Sequence, residues 1–300
     1  MGIEHQAWRD LVVGATLIYR NVTDIIDDIN IGVPYGPIAA RLGVEDPYTP
    51  VTVTDPGPDG VLGTADDGGP ITVWNQDPAT FGQNHYLITN LAKWGFDVPY
   101  GYRALEFVVR KRFSDRWQLL ASWTLARTNS SLGASGRAGV TTKSGFDNPN
   151  SDINRDGRTF DDRANLIKLN GSYLFADPIG VNLGVSLRHE SGLPVRRTFS
   201  TERGVLNQGR VRITAAPAGE DDNPASLGGR FDAITILDLR AEKQFALPGR
   251  WGRLSLTVEA FNLLNENATR SAFTHSGSFY GRVFSIVPPR VVRLGLGWVF

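Results

Sequence analysis

The 300-residue sequence contains no cysteine. A disulfide framework, a thiolate zinc site and a cysteine nucleophile are therefore excluded. It carries no net charge either, since 31 Lys and Arg balance 31 Asp and Glu. That balance leaves no electrostatic footprint for nucleic acid and no polybasic signal for a membrane surface. No stretch supplies the ~20 apolar residues of a membrane-spanning helix. Membrane-crossing strands are short and alternating, so this absence does not exclude them. The four histidines, His5, His85, His189 and His275, stand far apart with no metal-ligand spacing. The opening MGIEHQAWRD lacks the basic start and apolar run of a signal peptide. The chain thus reads either as a cytoplasmic protein or as one whose start lies further upstream.

What the sequence does have is period-two alternation. At its end Val292, Leu294, Leu296, Trp298 and Phe300 form a large apolar face. Val291, Arg293, Gly295, Gly297 and Val299 form a small or charged one. Segments around 11–20, 105–110, 117–125, 167–173, 181–188, 237–242 and 254–259 repeat the pattern, which makes eight. About ten residues at ~3.3 Å rise, tilted ~45°, cross the ~25 Å apolar band of a membrane. The connections alternate as well. Short turns at 114–116, 176–180 and 247–252 fall on one rim, and long polar loops at about 24–99, 129–164, 189–233 and 265–289 fall on the other. Phe113, Trp117, Phe175, Phe245, Trp251 and Phe300 gather beside the short-turn rim, as in an interfacial girdle.

These patterns predict an all-β fold: an antiparallel meander of about eight transmembrane strands, part of or an open piece of an outer-membrane β-barrel. Trp123, Leu169, Leu183, Leu239 and Leu256 are expected to face lipid, and Glu106, Lys168, Arg188, Arg240 and Glu259 the interior. Segments 8–22 and 290–300 are expected at the sheet edges. A dry sandwich core would be penalised heavily by mid-strand Glu106, Arg110, Asp238, Arg240, Glu242 and Glu259, whereas a wet lumen would not. The basic runs at Arg110, Lys111 and Arg112 and at Arg196 and Arg197 read as rim or lumen charges. A soluble calcium-binding β-sandwich and a self-sufficient eight-stranded outer-membrane barrel, acting as anchor or adhesin, are the alternatives.

Five stretches carry a family resemblance: YRALEFVVRKRFSDRWQLLASWTLAR (102–127), INRDGRTFDDRANLIKLNGSYLF (153–175), LDLRAEKQF (237–245), LTVEAFNLLN (256–265) and PRVVRLGLGWVF (289–300). The chain resembles the C-terminal barrel portion of TonB-dependent receptors, the Oar-like group in particular. The resemblance covers nearly the whole chain as one barrel region, 1–300. It implies a Gram-negative-type outer membrane, a barrel of about 22 strands with a plugged lumen, and import of bulky ligands driven from the inner membrane. It also implies that the barrel-assembly machinery reads the final strand, here Leu294, Leu296, Trp298 and Phe300. No plug and no energy-coupling box is recognisable, so an energy-coupling partner would act only through a plug outside this sequence. The implied partners are outer-membrane lipid and the assembly machinery, with no nucleic acid and a ligand that the sequence does not name.

Two Asp/Gly loops could chelate a hard cation. In DPGPDGVLGTADDG, Asp55, Asp59 and Asp66 fall at positions 1, 5 and 12 of an EF-hand-like loop, with Gly60 at the sharp turn. Position 3 is Gly57, so one ligand is missing there. In DINRDGRTFDD, Asp152, Asn154 and Asp156 take positions 1, 3 and 5. Both loops also read as plain turns, since Asp, Asn and Gly favour turns anyway. No cofactor is expected, save for calcium as a candidate ligand of these loops. No enzyme is predicted, because the proximity of His189 and Ser191 reads as a rim turn.

Overall fold

The computed structural model describes residues 1–131, 145–221, 227, 229–249 and 251–300. Along the chain run β1 (Gly2–Trp8), β2 (Leu11–Val22), β3 (Ile26–Asn30), α1 (Gly36–Leu42), β4 (Tyr48–Thr54), β5 (Pro70–Gln76), β6 (Tyr86–Asn90), β7 (Tyr100–Ser114) and β8 (Trp117–Ser130). After them come β9 (Gly157–Arg158), β10 (Asn165–Leu174), β11 (Val181–Glu190), β12 (Thr198–Ser200), β13 (Arg212–Thr214) and β14 (Ile234–Ala246). The last are β15 (Arg253–Phe261), β16 (Thr269–Ala272), β17 (Val283–Ile286) and β18 (Val291–Val299).

One antiparallel sheet dominates, in the meander order β1-β2-β7-β8-β10-β11-β14-β15-β18. The two-residue β9 lies against the end of β8. The meander thus holds nine strands, one more than the alternation predicts. The added strand, β1, is the true first edge, and β2 is paired on both sides. β1 and β18 each have one partner among the described residues. The sheet packs on no second sheet there, which removes the sandwich alternative. Apolar side chains on its surface stay open instead: Trp123 is 41 % exposed, Leu256 44 % and Leu294 78 %.

The short and long connections sort as the sequence predicts. Arg9 and Asp10 make a further short turn between β1 and β2. At the β7–β8 turn, Asp115 (φ 50°) and Arg116 (φ 70°) both adopt positive φ, the twist suited to a two-residue hairpin. Gly252 ends the β14–β15 turn at φ 76°, where a Cβ would stand 1.9 Å from the Val299 carbonyl oxygen. No other residue type fits that position without moving backbone.

Directly opposed residues in an antiparallel pair share a face, so the pairing register assigns every side chain to a side. The row Trp117, Tyr173, Leu183, Ala241, Val258 and Leu294 runs unbroken from β8 to β18. Ala121, Leu169, Leu187 and Leu237 make a parallel row, and Phe107, Trp123 and Ile167 another. On the opposite side Ser122, Lys168 and Arg188 form one row, and Gly184, Arg240, Glu259 and Arg293 a second. Glu106 lies there too, opposite Thr16 and Thr124. All ten facing expectations therefore sort onto two sides as predicted. The aromatic edge also steps along the strands. Trp117 shares its row with Ala241, whereas Phe245 lies two side-chain rows nearer the short turns, with Leu254 and Trp298. Tilted strands in a wall produce such a stagger.

The long loops depart from expectation. They are not irregular polar excursions but contain the buried core. Ile29, Val33, Ile38, Leu91 and Phe146 pack in one cluster. Val73, Phe199, Leu206 and Ile213 form a second, and Ile234, Ala268 and Val287 a third. The hairpins β3–β6, β4–β5, β12–β13 and β16–β17 frame this crown. Arg197 ties it together and corrects its assignment as a rim charge. Only 2 % exposed, it takes both Asp55 oxygens at 2.7 and 2.6 Å and one Asp221 oxygen at 2.9 Å. Burial works against its charge, and the two carboxylates more than offset that, holding the guanidinium's pKa above its ordinary value.

Arg197→Met leaves two buried carboxylates facing each other, a loss of ~3–5 kcal/mol for a broken buried pair. Amide exchange should quicken in β4, β5 and β12, while β10 and β11 keep wild-type protection. Equal change in crown and wall would contradict a core confined to the crown.

Candidate functional site

The charged side of the sheet carries a connected ion network. Glu259 is the centre, 9 % exposed. Arg293 reaches it from β18 at 2.5 and 2.6 Å, and Arg240 from β14 at 3.5 Å. Arg240 also binds Glu242 at 2.6 Å. Asp238, one row away, accepts the Asn262 backbone N–H at 2.7 Å and so fixes the start of the fourth long loop. A hollow of about 470 Å³ lies against this side, lined by Gln118, Asn170, Asp238, Arg240, Glu259 and Phe261. Exposed ion pairs add ~0–1 kcal/mol each. The network pairs the buried Glu259 carboxylate at mid-strand with guanidinium groups that are themselves exposed.

The apolar side has defined limits. Toward the short turns Lys111 lies 4.4 Å from the Trp117 ring centroid and donates to the Ser114 hydroxyl at 2.6 Å. Lys243 lies 5.4 Å from the Phe245 ring. Trp251 and Trp298 stack at 6.5 Å, and the Trp298 indole donates to the Trp251 carbonyl at 2.7 Å. Toward the long loops the first cations on this side are Arg103 and Arg127, directly opposed. Along β7 eight residues separate Arg103 from Lys111, ~26 Å at ~3.3 Å per residue. A ~45° tilt shortens that to about 19 Å, and two snorkelling cations extend it toward the ~25 Å band.

The crown places the two Asp/Gly loops. Asp55 is committed to Arg197, Asp59 accepts from the Val61 N–H at 2.8 Å, and Asp66 from the Asp59 N–H at 3.1 Å and the Thr64 hydroxyl at 2.6 Å. In the second loop Asp152 takes Arg155 at 2.5 Å and the Tyr35 hydroxyl at 2.7 Å. Asn154 turns its amide to the Thr214 and Ala215 carbonyls at 3.0 and 2.9 Å. Asp156 lines a separate cavity beside Pro217 and Glu220. Among the described residues no three His or acidic side chains converge as a metal site would need. Guanidinium groups occupy the positions next to Asp55 and Asp152. Burial drives the Asp152 pKa up to about 6, against the pull of Arg155 and the Tyr35 hydroxyl. Arg196, its neighbour across the Arg155 carbonyl at 3.1 Å, is lowered to about 10 by burial and then by the Arg155 charge. It is no rim charge either.

His189 and Ser191 do not pair. His189 meets the Thr235 hydroxyl at 2.8 Å, and the Ser191 hydroxyl accepts from the Asn165 N–H at 3.0 Å. A different histidine does meet a serine: the His275 ring nitrogens lie 2.9 Å from the Thr198 hydroxyl and 3.3 Å from that of Ser200. Burial, then Arg212 and Arg210, hold the His275 pKa below its usual value. Seventy-five residues separate His275 from Ser200, so no local motif announces the pair. Ser200 also lines a crown cavity of about 520 Å³ with Thr52, Thr54, Leu62, Arg203 and Arg210.

No family model matches the sequence, and no curated protein matches it. Among solved structures it is similar to the outer membrane transporter YddB from Escherichia coli, at 11 % identity and TM-score 0.49, over 98 % of this chain and 31 % of that one. It is similar to the ferripyoverdine receptor of the outer membrane of Pseudomonas aeruginosa, at 11 % identity and TM-score 0.40, over 99 % and 32 %. The ferric-catecholate import receptor Fiu from E. coli K12 follows at 10 % identity and TM-score 0.41, over 98 % and 33 %. The chain spans about a third of the length of these structures.

Because the Asp152 pKa is raised above its unfolded value, its stabilising contribution is complete below about pH 4 and is lost as pH rises through about 6. Carboxyl NMR should show one aspartate titrating near pH 6, absent in Asp152→Asn. The thermal stability of that variant relative to wild type should rise between pH 4 and pH 8. A midpoint below 4 would refute the burial argument.

Proposed function

We propose that the chain is a wall segment of an outer-membrane β-barrel of the TonB-dependent receptor type, with a crown that contributes to an extracellular ligand-binding surface. The apolar side meets lipid, the Arg240, Glu259 and Arg293 side lines the interior, and the long-loop rim faces outward. The observation that supports this most is the register. It places alternate apolar residues of neighbouring strands on one side, bounded by Lys and aromatic side chains at one rim and Arg at the other. Water would not tolerate so large an apolar face uncovered. The ~520 Å³ crown cavity is of a size that takes small ligands. The ligand's identity and the import of any substrate belong to the whole transporter. No enzymatic step forms part of the proposal.

The self-sufficient barrel fits less well. In a nine-strand meander the first and last strands run the same way, so β1 and β18 could close only as a parallel pair. Antiparallel closure takes an odd number of further strands, which the proposal assigns to other parts of the transporter. Calcium in the Asp/Gly loops is a second-rank proposal, because Arg197 and Arg155 already neutralise Asp55 and Asp152. Calorimetric titration of the chain with calcium, against Asp59→Asn/Asp66→Asn, tests it, and equal traces would end it.

Leu239→Arg puts a cation at mid-depth on the lipid side and should lower folding stability in bilayers by ~2–4 kcal/mol. Asp238→Arg, one residue away, turns inward and should cost much less. Similar losses at both positions would exclude a membrane wall.

The assembly role proposed for Leu294, Leu296, Trp298 and Phe300 rests on β18 offering an open edge with these side chains 53–90 % exposed. Strand addition could capture that edge, with backbone bonds giving affinity and alternate side chains specificity. Deleting Phe300 should lower insertion into the outer membrane, while Leu254→Ala, a similar apolar loss on β15, should not. Equal effects would leave lipid contact as the whole explanation.

A further inference from the structure

Arg103 and Arg127 face each other across β7 and β8 on the apolar side. Like charges directly opposed in neighbouring strands are destabilising, so their placement calls for an anion. Neither makes an ion pair with a described residue. Both are exposed, and Arg103 lies 5.5 Å from the Tyr19 ring, its partner across β2. A third guanidinium follows on the same side. Asn129 pairs in register with Arg158 and accepts from it at 3.0 Å. Between Asn129 and Asn21 the row passes through Gly101, where an added Cβ would meet nothing within 4 Å. The result is a side-chain-free notch, flanked by two amides and rimmed by three guanidinium groups. It opens into a cavity of about 460 Å³ that Ser130, Asp156 and Glu220 also line. Glu220 acts on Arg158, and with Asp156 it brings two carboxylates to the cavity against three guanidinium groups, a surplus of positive charge.

We propose that this notch holds the phosphate of a phosphorylated lipid headgroup. The inference rests on the barrel-wall reading, because it is the row immediately inward that fixes the source. Leu17, Leu105 and Leu125 occupy that row. An anion bound at Arg103 and Arg127 therefore sits where acyl chains would begin. Arginine suits the role: its planar fork binds phosphate oxygens bidentately and its weak hydration lowers the cost of leaving water. The Tyr19 ring sits at the same level, amphipathic like other interfacial aromatics.

The test compares the folded chain in three settings: phosphatidylcholine vesicles, the same vesicles with about 20 mol % phosphatidic acid, and neutral detergent with inorganic phosphate. Wild type should insert into the neutral vesicles and bind those with phosphatidic acid about tenfold more tightly. Arg103→Gln/Arg127→Gln should insert equally into neutral vesicles and lose the gain. Gly101→Leu, which fills the notch without changing charge, should lose most of it, and Arg103→Lys/Arg127→Lys should keep part. Arg41→Gln/Lys93→Gln, equal in charge but placed in the crown, should keep all of it. An undiminished gain in the glutamine pair overturns the site. So does a loss of the same size in the crown pair. Inorganic phosphate binding with no preference for the anionic vesicles overturns the lipid source. Failure of every variant and of wild type to enter neutral vesicles overturns the wall reading itself, and the lipid assignment falls with it.

Discussion

A slip of one residue anywhere between β2 and β18 would turn a whole strand inside out, because side chains alternate with a period of two. The wall avoids this through an unbroken ladder. Leu183 opposes Tyr173 on one flank and Ala241 on the other, and Ala241 in turn opposes Val258. Each pair restricts the next, so the register of β18 depends on that of β8. The charged row depends on it equally. Arg240, Glu259 and Arg293 meet only because three strands are in step. With one strand displaced, Glu259 would point to the apolar side and leave Arg293 without its counter-charge.

That coupling explains what could be read from the chain in order. Strands whose two faces differ sharply announce themselves, so the alternation around 117–125 and 292–300 locates β8 and β18 directly. β1 escapes because its apolar side carries His5, opposed to Val13, while Glu4 and Gln6 occupy the other side. The period is present but both faces look polar. The short turns were legible from the spacing of the alternating segments, and at one of them the positive φ of Asp115 and Arg116 is what a two-residue hairpin asks for.

The crown was not legible, because its contacts are made between loops rather than within them. Asp55 and Arg197 lie 142 residues apart. Trp74 and Asn150 exchange two hydrogen bonds of 2.8 Å across 76 residues. Ile26 pairs with Asn90 to start a hairpin that encloses another. Asp- and Gly-rich composition describes the surface of such a unit faithfully and says nothing of its interior. The Asp/Gly loops illustrate the point. Their spacing suggests ligands around a cation, and in the fold Asp55 meets Arg197 from 142 residues away, while Asp152 meets Tyr35 from 117 residues away and Arg155 three residues on.

On the proposed reading wall and crown answer to two solvents, and their chemistry divides accordingly. The wall has little interior of its own; its ladder satisfies the backbone and its outer side chains await an apolar medium. The crown meets water on the outside and must bury a core, which is why Ile29, Val73, Phe146 and Phe199 are hidden there and not in the sheet. Buried aromatic rings and an ion triad anchor the loops, which suits the proposed ligand-binding role. Binding to a preformed surface avoids much of the ordering cost that mobile loops would incur. The same rigidity fixes the lower border of the crown, where Arg158 and Gly157 pair with the end of β8. That short pairing joins the two halves of the molecule at the end of β8, where Arg127 and Asn129 occupy successive rows on one side.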